Sequence, residues 1–315
     1  MVSGQEAIHV LIPTWRGRDH LATLLPSLAN QRLAPAGITI VDGGSHDGSR
    51  ELAERHGARF IDLGENRGFA AAVRHGVDAI TANRIAILNN DLRLDPGWLE
   101  AMAAVDAPFT VGKVLAWEGP PRIDATWDLI SASGIPQRAG QGSPDAAYWN
   151  QPRQIALAPW TAIVIRRDYW QLTGGLDASF ESFLEDVDIG LRGYKLGFRG
   201  SYQPTALCWH RGSSTLGPWH PEQVRLSARN QLRLIARHGR PDWPRIFIGQ
   251  ALWGLAAARH GCGAAWLRGK YEAWREISSF GTGESTLNDL EAELFAVESI
   301  TGISLFWRWY WALSL

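Results

Sequence analysis

Four short polar or glycine-rich segments in the first 91 residues each follow an apolar run, and they carry side chains that could do chemistry. They are Pro13-Thr14-Trp15, the stretch 42–49, Glu65–Phe69 and Asn89-Asn90-Asp91. Glycine lets the backbone approach a ligand closely, and an acid at a strand end can accept hydrogen bonds from a base or a ribose. One such segment alone is typical of a simple turn. Four in series predict a ligand site along one sheet edge.

Asp91 directly follows the apolar run Ile85–Leu88, so we expect it at the carboxyl edge of a sheet. A carboxylate there can hold a hard cation such as Mg²⁺ or Mn²⁺, whose other ligands are phosphate oxygens and water. A turn carboxylate that caps the following segment is the alternative, and the residues alone leave both open.

A second acidic cluster, Glu185-Asp186-Val187-Asp188, begins a stretch with helical spacing. Acids favour the positive end of a helix dipole, so simple capping is one interpretation. The preceding residues are apolar and glycine-rich, which indicates a buried approach. A carboxylate near other acids and apolar walls can act as a base.

His210 ends a predicted strand, where an imidazole can bind a metal or a phosphate. For a lone histidine, an ordinary core or surface position is the commoner case.

Strand-like and helix-like periods alternate through the first 115 residues, with Gly or Asp marking several stops. The predicted strands are Ile8–Ile12, Ile38–Val41, Ala58–Leu63 and Arg84–Leu88, and the predicted helices are Asp19–Gln31, Asp47–Gly57, Phe69–Ala82 and one starting at Asp95-Pro96. This alternation predicts an α/β fold with a mostly parallel sheet covered on both faces.

The rest of the chain changes character twice. Residues 116–158 are rich in Pro, Gly, Gln and Ser and predict a long excursion with irregular strands. Regular structure resumes with a strand over Trp160–Arg166, a helix over Leu184–Leu196 and a strand over Thr205–Trp209. From Pro221 the pattern is helical, with a break at Gly239-Arg240-Pro241.

Composition and absent motifs exclude several classes of protein. The 315 residues carry 31 Lys and Arg against 32 Asp and Glu, which gives no reason to expect nucleic acid as a partner. A P-loop, a three-glycine dinucleotide fingerprint and a nucleophile elbow are all missing, which disfavours P-loop enzymes, nicotinamide dehydrogenases and α/β-hydrolases. Two cysteines, a polar start and no long apolar run predict a cytoplasmic protein.

Taken in order, these segments resemble the family 2 glycosyltransferases, especially bacterial rhamnosyltransferase-like members, over roughly residues 7–240. The matching segments are Val41–Ser49 with Gly43 where the family has Asn, Asn66–Gly76 with Arg74 in place of a second Asn, Asn89–Asp91, Gly174–Asp177, Glu185–Asp188 and Pro204–His210. Asn89 stands where the family's metal motif often has its first acid.

The resemblance implies a GT-A fold and an inverting transfer of a sugar from a nucleoside diphosphate, dTDP- or UDP-linked. The donor-binding residues it implies are Pro13, Thr14, Asp42, Asn66, Gly68, Phe69, Asn90 and Asp91. Asp91 would bind the diphosphate through Mg²⁺ or Mn²⁺, with His210 as a second metal or diphosphate contact. Asp186 would be the general base, with Glu185, Asp188 and Trp160 on the acceptor side or supporting it.

The resemblance also divides the chain. Residues 1–220 would form the catalytic domain, with a nucleotide-binding half over 1–115 and an acceptor-binding half over 116–220, followed by a helical region over 221–315. The acceptor would be a surface polysaccharide or a glycolipid, and the sugar could be rhamnose. A nucleotidyltransferase and a non-catalytic nucleotide-sugar binder are the alternative functions.

The helical region carries two features with open interpretations. Arg225, Arg229, Arg233 and Arg237 recur every four residues, which is typical of a solvated helix face or of one that contacts lipid headgroups or a phosphate-bearing acceptor. The aromatic segment 306–311 suits a membrane interface, a homodimer contact or docking on its own domain. We hypothesise peripheral attachment to the inner face of the cell membrane.

Overall fold

A mixed ten-stranded sheet lies at the centre of the computed structural model, which describes residues 7–212, 219–238, 241–278 and 285–314. The first strands are β1 Ile8–Thr14, β2 Gly37–Asp42, β3 Arg59–Asp62, β4 Arg84–Leu88, β5 Leu92–Leu94 and β6 Phe109–Ala116, and the later ones are β7 Ile123–Ala125, β8 Asp128–Ile130, β9 Pro136–Arg138, β10 Arg153–Ile155, β11 Ala162–Arg166 and β12 Gly200–His210. The main path runs β10-β12-β6-β11-β4-β1-β2-β3. Strands β8 and β9 form a separate two-stranded ribbon.

Eleven helices accompany these strands in the described ranges. They are α1 Arg18–Ala29, α2 Ser49–Arg55, α3 Phe69–Asp78, α4 Trp98–Ala103, α5 Arg167–Thr173, α6 Glu185–Lys195, α7 Pro221–Arg237, α8 Trp243–Arg259, α9 Gly263–Glu276, α10 Thr286–Thr301 and α11 Leu305–Ser314. Two predictions fall outside the described residues: the polar start over residues 1–6, and residues 239–240 of the predicted helix break.

The predicted parallel half of the sheet is confirmed. Strand β1 pairs in parallel with β2 and β4, and β2 pairs in parallel with β3. Every residue of β4 is buried, because β4 lies inside the sheet and both of its faces are covered, whereas the outermost strand β3 is partly exposed. The carboxyl ends of β1, β2, β3 and β4 therefore share one edge.

The second half of the sheet adds antiparallel strands that the early sequence pattern does not show. Strand β11 runs antiparallel between β4 and β6, with Ala162 opposite Leu88 and Arg166 opposite Arg84. This register places the start of β11 at the carboxyl end of β4. The segment before β11 thus borders the same edge as Asp91.

The predicted helix start at Asp95-Pro96 is wrong by two residues. The Asp95 carboxylate accepts a hydrogen bond from the Gly97 N–H at 2.9 Å, and α4 begins at Trp98. Asp95 therefore closes the turn that follows the short strand β5, and it is Gly97 that occupies the cap position.

Buried aromatic rings hold together the irregular region that follows β6. The ring of Trp127 lies 5.6 Å from that of Trp149 and 5.3 Å from that of Tyr202 in β12, and all three are almost fully buried. The Arg153 guanidinium lies 4.3 Å from the Trp127 ring centre. The predicted excursion over 116–158 is therefore a packed layer made of short strands.

The prediction of a solvated face is wrong for Arg225, Arg229 and Arg233, whose side chains are at most 12% exposed in ion pairs, whereas that of Arg237 is 40% exposed. Contact of this face with lipid headgroups or a phosphate-bearing acceptor stays a prediction. Arg225 bonds Glu272, Arg233 bonds Glu276, and Arg237 bonds Asp177. Arg229 is 5% exposed and bonds Glu181 at 2.6 Å. The stripe clamps α7 between α9 and the segment that precedes α6.

The C-terminal helices share a core with the sheet. Trp307, Tyr310 and Trp311 are buried in the same cluster as Leu11 and Ile87. The aromatic tail therefore docks on its own chain with three of its rings, whereas Trp309 is 54% exposed. No helix of the described residues is long and apolar enough to cross a membrane.

A buried carboxylate, Glu291 of α10, ties three distant parts of the chain together. It accepts hydrogen bonds from the Ala132 N–H at 2.9 Å, the Tyr310 hydroxyl at 2.7 Å and the Arg245 guanidinium at 2.6 Å. The turn after β8, helix α8 and helix α11 are thereby fixed to one another.

Candidate active site

Two backbone hydrogen bonds bring the two predicted acidic segments to one edge of the sheet. The Asn89 N–H donates to the Thr161 carbonyl at 2.9 Å, and the Trp160 N–H donates to the Asp186 carboxylate at 3.4 Å. The loop before β11 therefore touches the Asn89–Asp91 segment on one side and the start of α6 on the other.

Asp91 belongs to a chain of three side chains. His210 Nε2 lies 3.2 Å from Asp91 Oδ1, and His210 Nδ1 lies 2.8 Å from Asp124 Oδ2. The antiparallel pairing of His210 with Leu92 sets this contact, since it places the end of β12 beside Asp91. Burial alone would lower the pKa of His210, but the carboxylates of Asp124 and Asp91 raise it to about 9.

Asp186 lies in a group of acids at the start of α6. Its Oδ1 accepts the Val187 N–H at 2.9 Å. Burial raises the pKa of Asp186, and the nearby charge of Arg138 opposes that shift. Burial and the charge of Asp186 raise the pKa values of Glu185 and Asp128 well above their usual range.

Arg138 of β9 stands between the two acidic groups. It is the cross-strand partner of Asp128, so both side chains project from the same face of the β8–β9 ribbon. Its guanidinium lies 3.8 Å from the Asp124 carboxylate. The described part of the chain gives this guanidinium no closer ion pair, and its side chain is 34% exposed.

A cleft of about 830 Å³ opens beside the loops that follow β1 and β2. Its lining includes Trp15, Arg16, Arg18, Ser45, Asp47 and Arg211. The three arginines give this lining a positive character. Arg211 also donates its N–H to the Asp91 carbonyl at 3.2 Å, which joins the cleft to the Asp91 segment.

Asp42 supports the wall of this cleft from beneath. The carboxylate is fully buried, and its Oδ2 accepts the Ser45 N–H. Burial raises the pKa of Asp42, although the bond from Ser45 opposes the shift. Its Oδ1 finds no hydrogen-bond partner among the described residues. An acceptor oxygen is thus available at the end of β2.

Pro13 and Thr14 end β1 beside the loop that carries Asn90. The Asn90 side-chain amide donates to the Thr14 hydroxyl at 2.7 Å. Gly17 is needed here, because a Cβ at this position would collide with both groups. The structure therefore brings the predicted residues Thr14 and Asn90 together.

The predicted segment Asn66–Phe69 faces the loop before α6. Asn66 Oδ1 accepts the Gly68 N–H at 3.0 Å, which shapes the turn. The Phe69 N–H donates to the Ser182 hydroxyl at 3.3 Å, and a Cβ on Gly68 would collide with the Glu181 carbonyl. This segment thus joins the donor side of the edge to the approach to α6.

Asp188 points away from Asp186 and serves the fold. It is buried, and its carboxylate bonds the Arg192 guanidinium at 2.9 Å and the His238 ring at 2.9 Å. Trp160 and Glu185 lie at the site, each of them buried.

The two departures from the family pattern also have structural counterparts. Arg74 donates to the carbonyls of Gly174 and Leu176 at 2.9 and 2.8 Å, so it holds the glycine turn before α6. Gly43 leaves room for Trp15 and Asn66, since a Cβ there would lie 3.3 and 3.2 Å from them.

Sequence reasoning missed three charged residues of this site, namely Asp124, Asp128 and Arg138. Both acids sit in short apolar contexts, Ile123-Asp124-Ala125 and Trp127-Asp128-Leu129. An acid between apolar neighbours inside an irregular region is a usable signal, because a buried charge requires a partner or a function.

The donor groups around Asp91 fit a hard divalent cation. Within the described ranges, no group of three or more His, Cys, Asp or Glu is arranged to hold a metal. His210 Nε2 lies 3.2 Å from Asp91 Oδ1, so a cation bound between them would replace the Nε2 proton, while Asp124 orients the ring through its other nitrogen. Phosphate oxygens and water would complete such a shell.

Comparisons with known proteins agree with this geometry. Residues 9–108 match the family described as Glycosyl transferase family 2. An N-acetylglucosaminyl-diphospho-decaprenol L-rhamnosyltransferase of Mycobacterium tuberculosis is 24% identical over 243 residues, which cover 67% of this chain and 78% of the relative.

Two solved structures share the fold. GalNAc-T7 with UDP, GalNAc and Mn²⁺ has a TM-score of 0.63 at 12% identity, covering 95% of this chain and 58% of that one. A mannosyltransferase from Pyrobaculum calidifontis, in complex with GDP-Man and Mn²⁺, has a TM-score of 0.53 at 16% identity. The match covers 98% of this chain and 87% of that one.

The sheet and the helices around it have the GT-A fold of these two structures. Residues 9–108 therefore match glycosyl transferase family 2, and over about two thirds of its length the chain is similar to a named glycosyltransferase.

Proposed function

We propose that the protein is an inverting glycosyltransferase that moves a sugar from a nucleoside diphosphate sugar to an acceptor hydroxyl, with Asp186 as the general base. The observation that carries this proposal is the shared contact of the 160–161 loop with Asn89 and with Asp186. A donor-side acid and a candidate base therefore border one edge, as a direct displacement requires.

On the donor side, the nucleotide occupies the cleft beside β1 and β2. Asp42 Oδ1 accepts a hydrogen bond from the base or the ribose, since it has no partner among the residues described. Thr14 and Asn90, bonded to each other, line the approach to Asp91. Arg16 and Arg211 of the cleft provide positive charge for a diphosphate.

Asp91 and His210 hold Mg²⁺ or Mn²⁺ in this proposal. The cation, when bound, supplies positive charge for the leaving diphosphate. Asp124 keeps the His210 ring oriented through Nδ1, and the Arg211 N–H fixes the backbone of Asp91. The two solved relatives named above contain Mn²⁺, which supports the choice of metal.

On the acceptor side, Asp186 takes the proton of the hydroxyl that attacks the sugar. Trp160 and Val187 present backbone N–H groups to its two oxygens and so fix the carboxylate. Glu185 is buried beside it, and the pKa of Glu185 is raised by burial, so Glu185 adds little competing charge. Asp188 contributes indirectly, by anchoring α6.

The donor and acceptor classes are proposed from the relatives. The mycobacterial relative is named as a rhamnosyltransferase acting on a diphospho-decaprenol glycolipid. We propose a dTDP- or UDP-linked donor, rhamnose as the first sugar to test, and a glycolipid or glycan acceptor. Screening nucleoside diphosphates and their sugars by thermal shift, with and without Mn²⁺, would identify the nucleotide.

Replacing Asp91 with Ala is expected to abolish the gain in nucleotide affinity that Mn²⁺ provides. The substitution removes the carboxylate that we assign to the cation and leaves the cleft loops intact. Calorimetric titration of UDP and dTDP, with and without Mn²⁺, measures this directly. We expect wild-type affinity to rise at least about tenfold with metal, which is about 1.4 kcal/mol, and the variant to show no rise.

Asp106→Ala is the matched control for this experiment. Asp106 is 94% exposed in its side chain and pairs with Arg166, at the opposite end of β11 from the site. An unchanged metal effect in Asp91→Ala would contradict the assignment. Metal-dependent binding without hydrolysis or transfer would indicate a non-catalytic binder, and nucleotide transfer would indicate a nucleotidyltransferase.

Arg138→Gln is expected to move the acid limb of the pH–rate profile to higher pH. Activity requires ionised Asp186, and the Arg138 charge opposes the rise that burial causes in the pKa of Asp186. Asp128 and Glu185, the other titratable groups facing Asp186, are buried acids with raised pKa values. Without the guanidinium, Asp186 ionises only at higher pH.

Arg138→Lys keeps the charge and should restore most of the wild-type profile. Turnover measured across the pH range separates this electrostatic effect from a structural one, since a structural defect lowers the rate at every pH. An acid limb that stays in place in Arg138→Gln would remove Arg138 from this role.

A further inference from the structure

Exposed apolar side chains are concentrated in the C-terminal helices. Thirteen large hydrophobic residues are exposed in the described ranges, and all but Leu172 and Leu196 lie on α8 to α11. Phe247 is 76% exposed and Trp274 is 74% exposed. Single exposed apolar residues are ordinary, but a concentration of this size marks an interaction surface.

These residues form stripes along three helices. The exposed positions are Trp243, Phe247 and Leu255 on α8, Leu267, Tyr271 and Trp274 on α9, and Leu305, Trp309 and Leu313 on α11. Spacings of three and four residues on α9 and α11, and of four and eight on α8, place each set on one side of its helix. We call this set of nine residues the apolar face.

The three helices are direct neighbours. A Cβ on Gly249 of α8 would lie 3.2 Å from the Tyr310 ring of α11, and one on Gly254 would lie 2.8 Å from the Trp266 ring of α9. Glycine at both positions allows this close packing, so α8 contacts both α9 and α11.

Positive charge accompanies the apolar face. Helices α8 and α11 contain no acidic residue, and they expose Arg259 and Arg308. The two acids of α9, Glu272 and Glu276, are engaged by α7 arginines. Arg275 of α9 is exposed and lies 5.8 Å from the Tyr271 ring centre. Aromatic side chains mixed with arginine suit the boundary between water and an anionic bilayer.

We infer that the apolar face of α8, α9 and α11 docks on an anionic membrane surface. The contact is interfacial, because no helix of the described residues can span a bilayer. A second copy of the chain fits less well, since the same face would offer its arginines no unpaired acid of α8, α9 or α11 as a partner. This inference stands apart from the transfer mechanism and would hold for any acceptor in the membrane.

Co-sedimentation with phosphatidylcholine vesicles, with and without phosphatidylglycerol, tests the inference on the full chain. We expect binding that requires phosphatidylglycerol and weakens as salt is raised. The variant Phe247→Glu with Trp274→Glu should bind at least about tenfold more weakly, because two charges enter the interface. Wild-type protein that stays in solution with both vesicle types would overturn the inference.

Leu172→Glu with Leu196→Glu is the matched control, since it places the same charges on exposed leucines of the catalytic region. The control should bind like the wild type. Equal loss of binding in both double variants would overturn the assignment of the face. Because all four side chains are exposed, both variants should keep the wild-type melting temperature.

Arg259→Gln with Arg275→Gln examines the charge argument separately. This variant should lose most of the preference for phosphatidylglycerol. A preference that survives would overturn the assignment of these arginines. Light scattering tests whether a second copy of the chain covers the apolar face instead. A wild-type protein that is a dimer, binds no vesicles, and becomes a monomer in Phe247→Glu with Trp274→Glu would assign the face to a second copy.

Discussion

Asp186→Asn is expected to lower the transfer rate by about 10²–10⁴ while nucleotide affinity stays at the wild-type value. The amide has nearly the shape of the carboxylate and keeps an oxygen that can accept the Val187 N–H, so the start of α6 should remain in place. It cannot take the proton of an acceptor hydroxyl. Turnover with donor and acceptor, together with calorimetric titration of the nucleotide, measures both quantities.

Asp168→Asn provides the comparison for that variant. Asp168 begins α5 and bonds Arg166, at the end of β11 that lies away from the site. This change should cost at most about 1 kcal/mol of stability and leave turnover intact. Wild-type turnover in Asp186→Asn would remove Asp186 from the role of base.

Asp188→Ala is expected to destabilise the fold by about 3–5 kcal/mol, because it leaves buried cationic and imidazole groups without their partner. Asp188 is buried and holds Arg192 of its own helix and His238 after α7. Removing the Asp188 carboxylate breaks the contact between α6 and the end of α7, whereas Asp186 keeps its own hydrogen bonds. Denaturant unfolding at neutral pH gives the free-energy difference.

The pH dependence of that difference provides a further check. Burial would raise the pKa of Asp188, but bonds from His238 and the charge of Arg192 hold it below its ordinary value. Its stabilisation is therefore complete above the unfolded pKa and is lost as the pH falls through the folded one. The difference in the free energy of unfolding between the wild type and Asp188→Ala should therefore become smaller as the pH is lowered.

Asp106→Ala is the matched control for stability, since its carboxylate is 94% exposed and should contribute at most about 1 kcal/mol. A loss in Asp188→Ala no larger than in this control would show that the Asp188 contacts carry no net stabilisation.

The parallel half of the sheet could be predicted from the sequence because its signals are local. Apolar runs that stop at Asp42 and at Asn89 mark strand ends, and parallel strands place those ends on one edge. Thr14, Asn90 and Asp91 were found in this way. Their contacts follow from neighbouring strands, so no distant information was needed.

The region that follows β6 could not be predicted in the same way, because its geometry depends on distant pairing. Asp124 meets His210, which lies 86 residues further along the chain, and Arg138 reaches the site only through its pairing with Asp128. A three-residue strand has too few positions to show a period. The spacing of the α7 arginines is visible in the sequence, but their ion-pair partners are not, because those acids lie on α9 and before α6.

The Glu291 junction has a consequence for acceptor choice. It fixes the turn after β8, close to Asp128, against α8 and α11, the helices that we place on the bilayer. The reacting edge would then stand at a constant height above the lipid. Such an enzyme would select its acceptor by length. It would favour glycolipids whose terminal hydroxyl reaches that height and discriminate against shorter or longer glycans, without contacting each sugar in between.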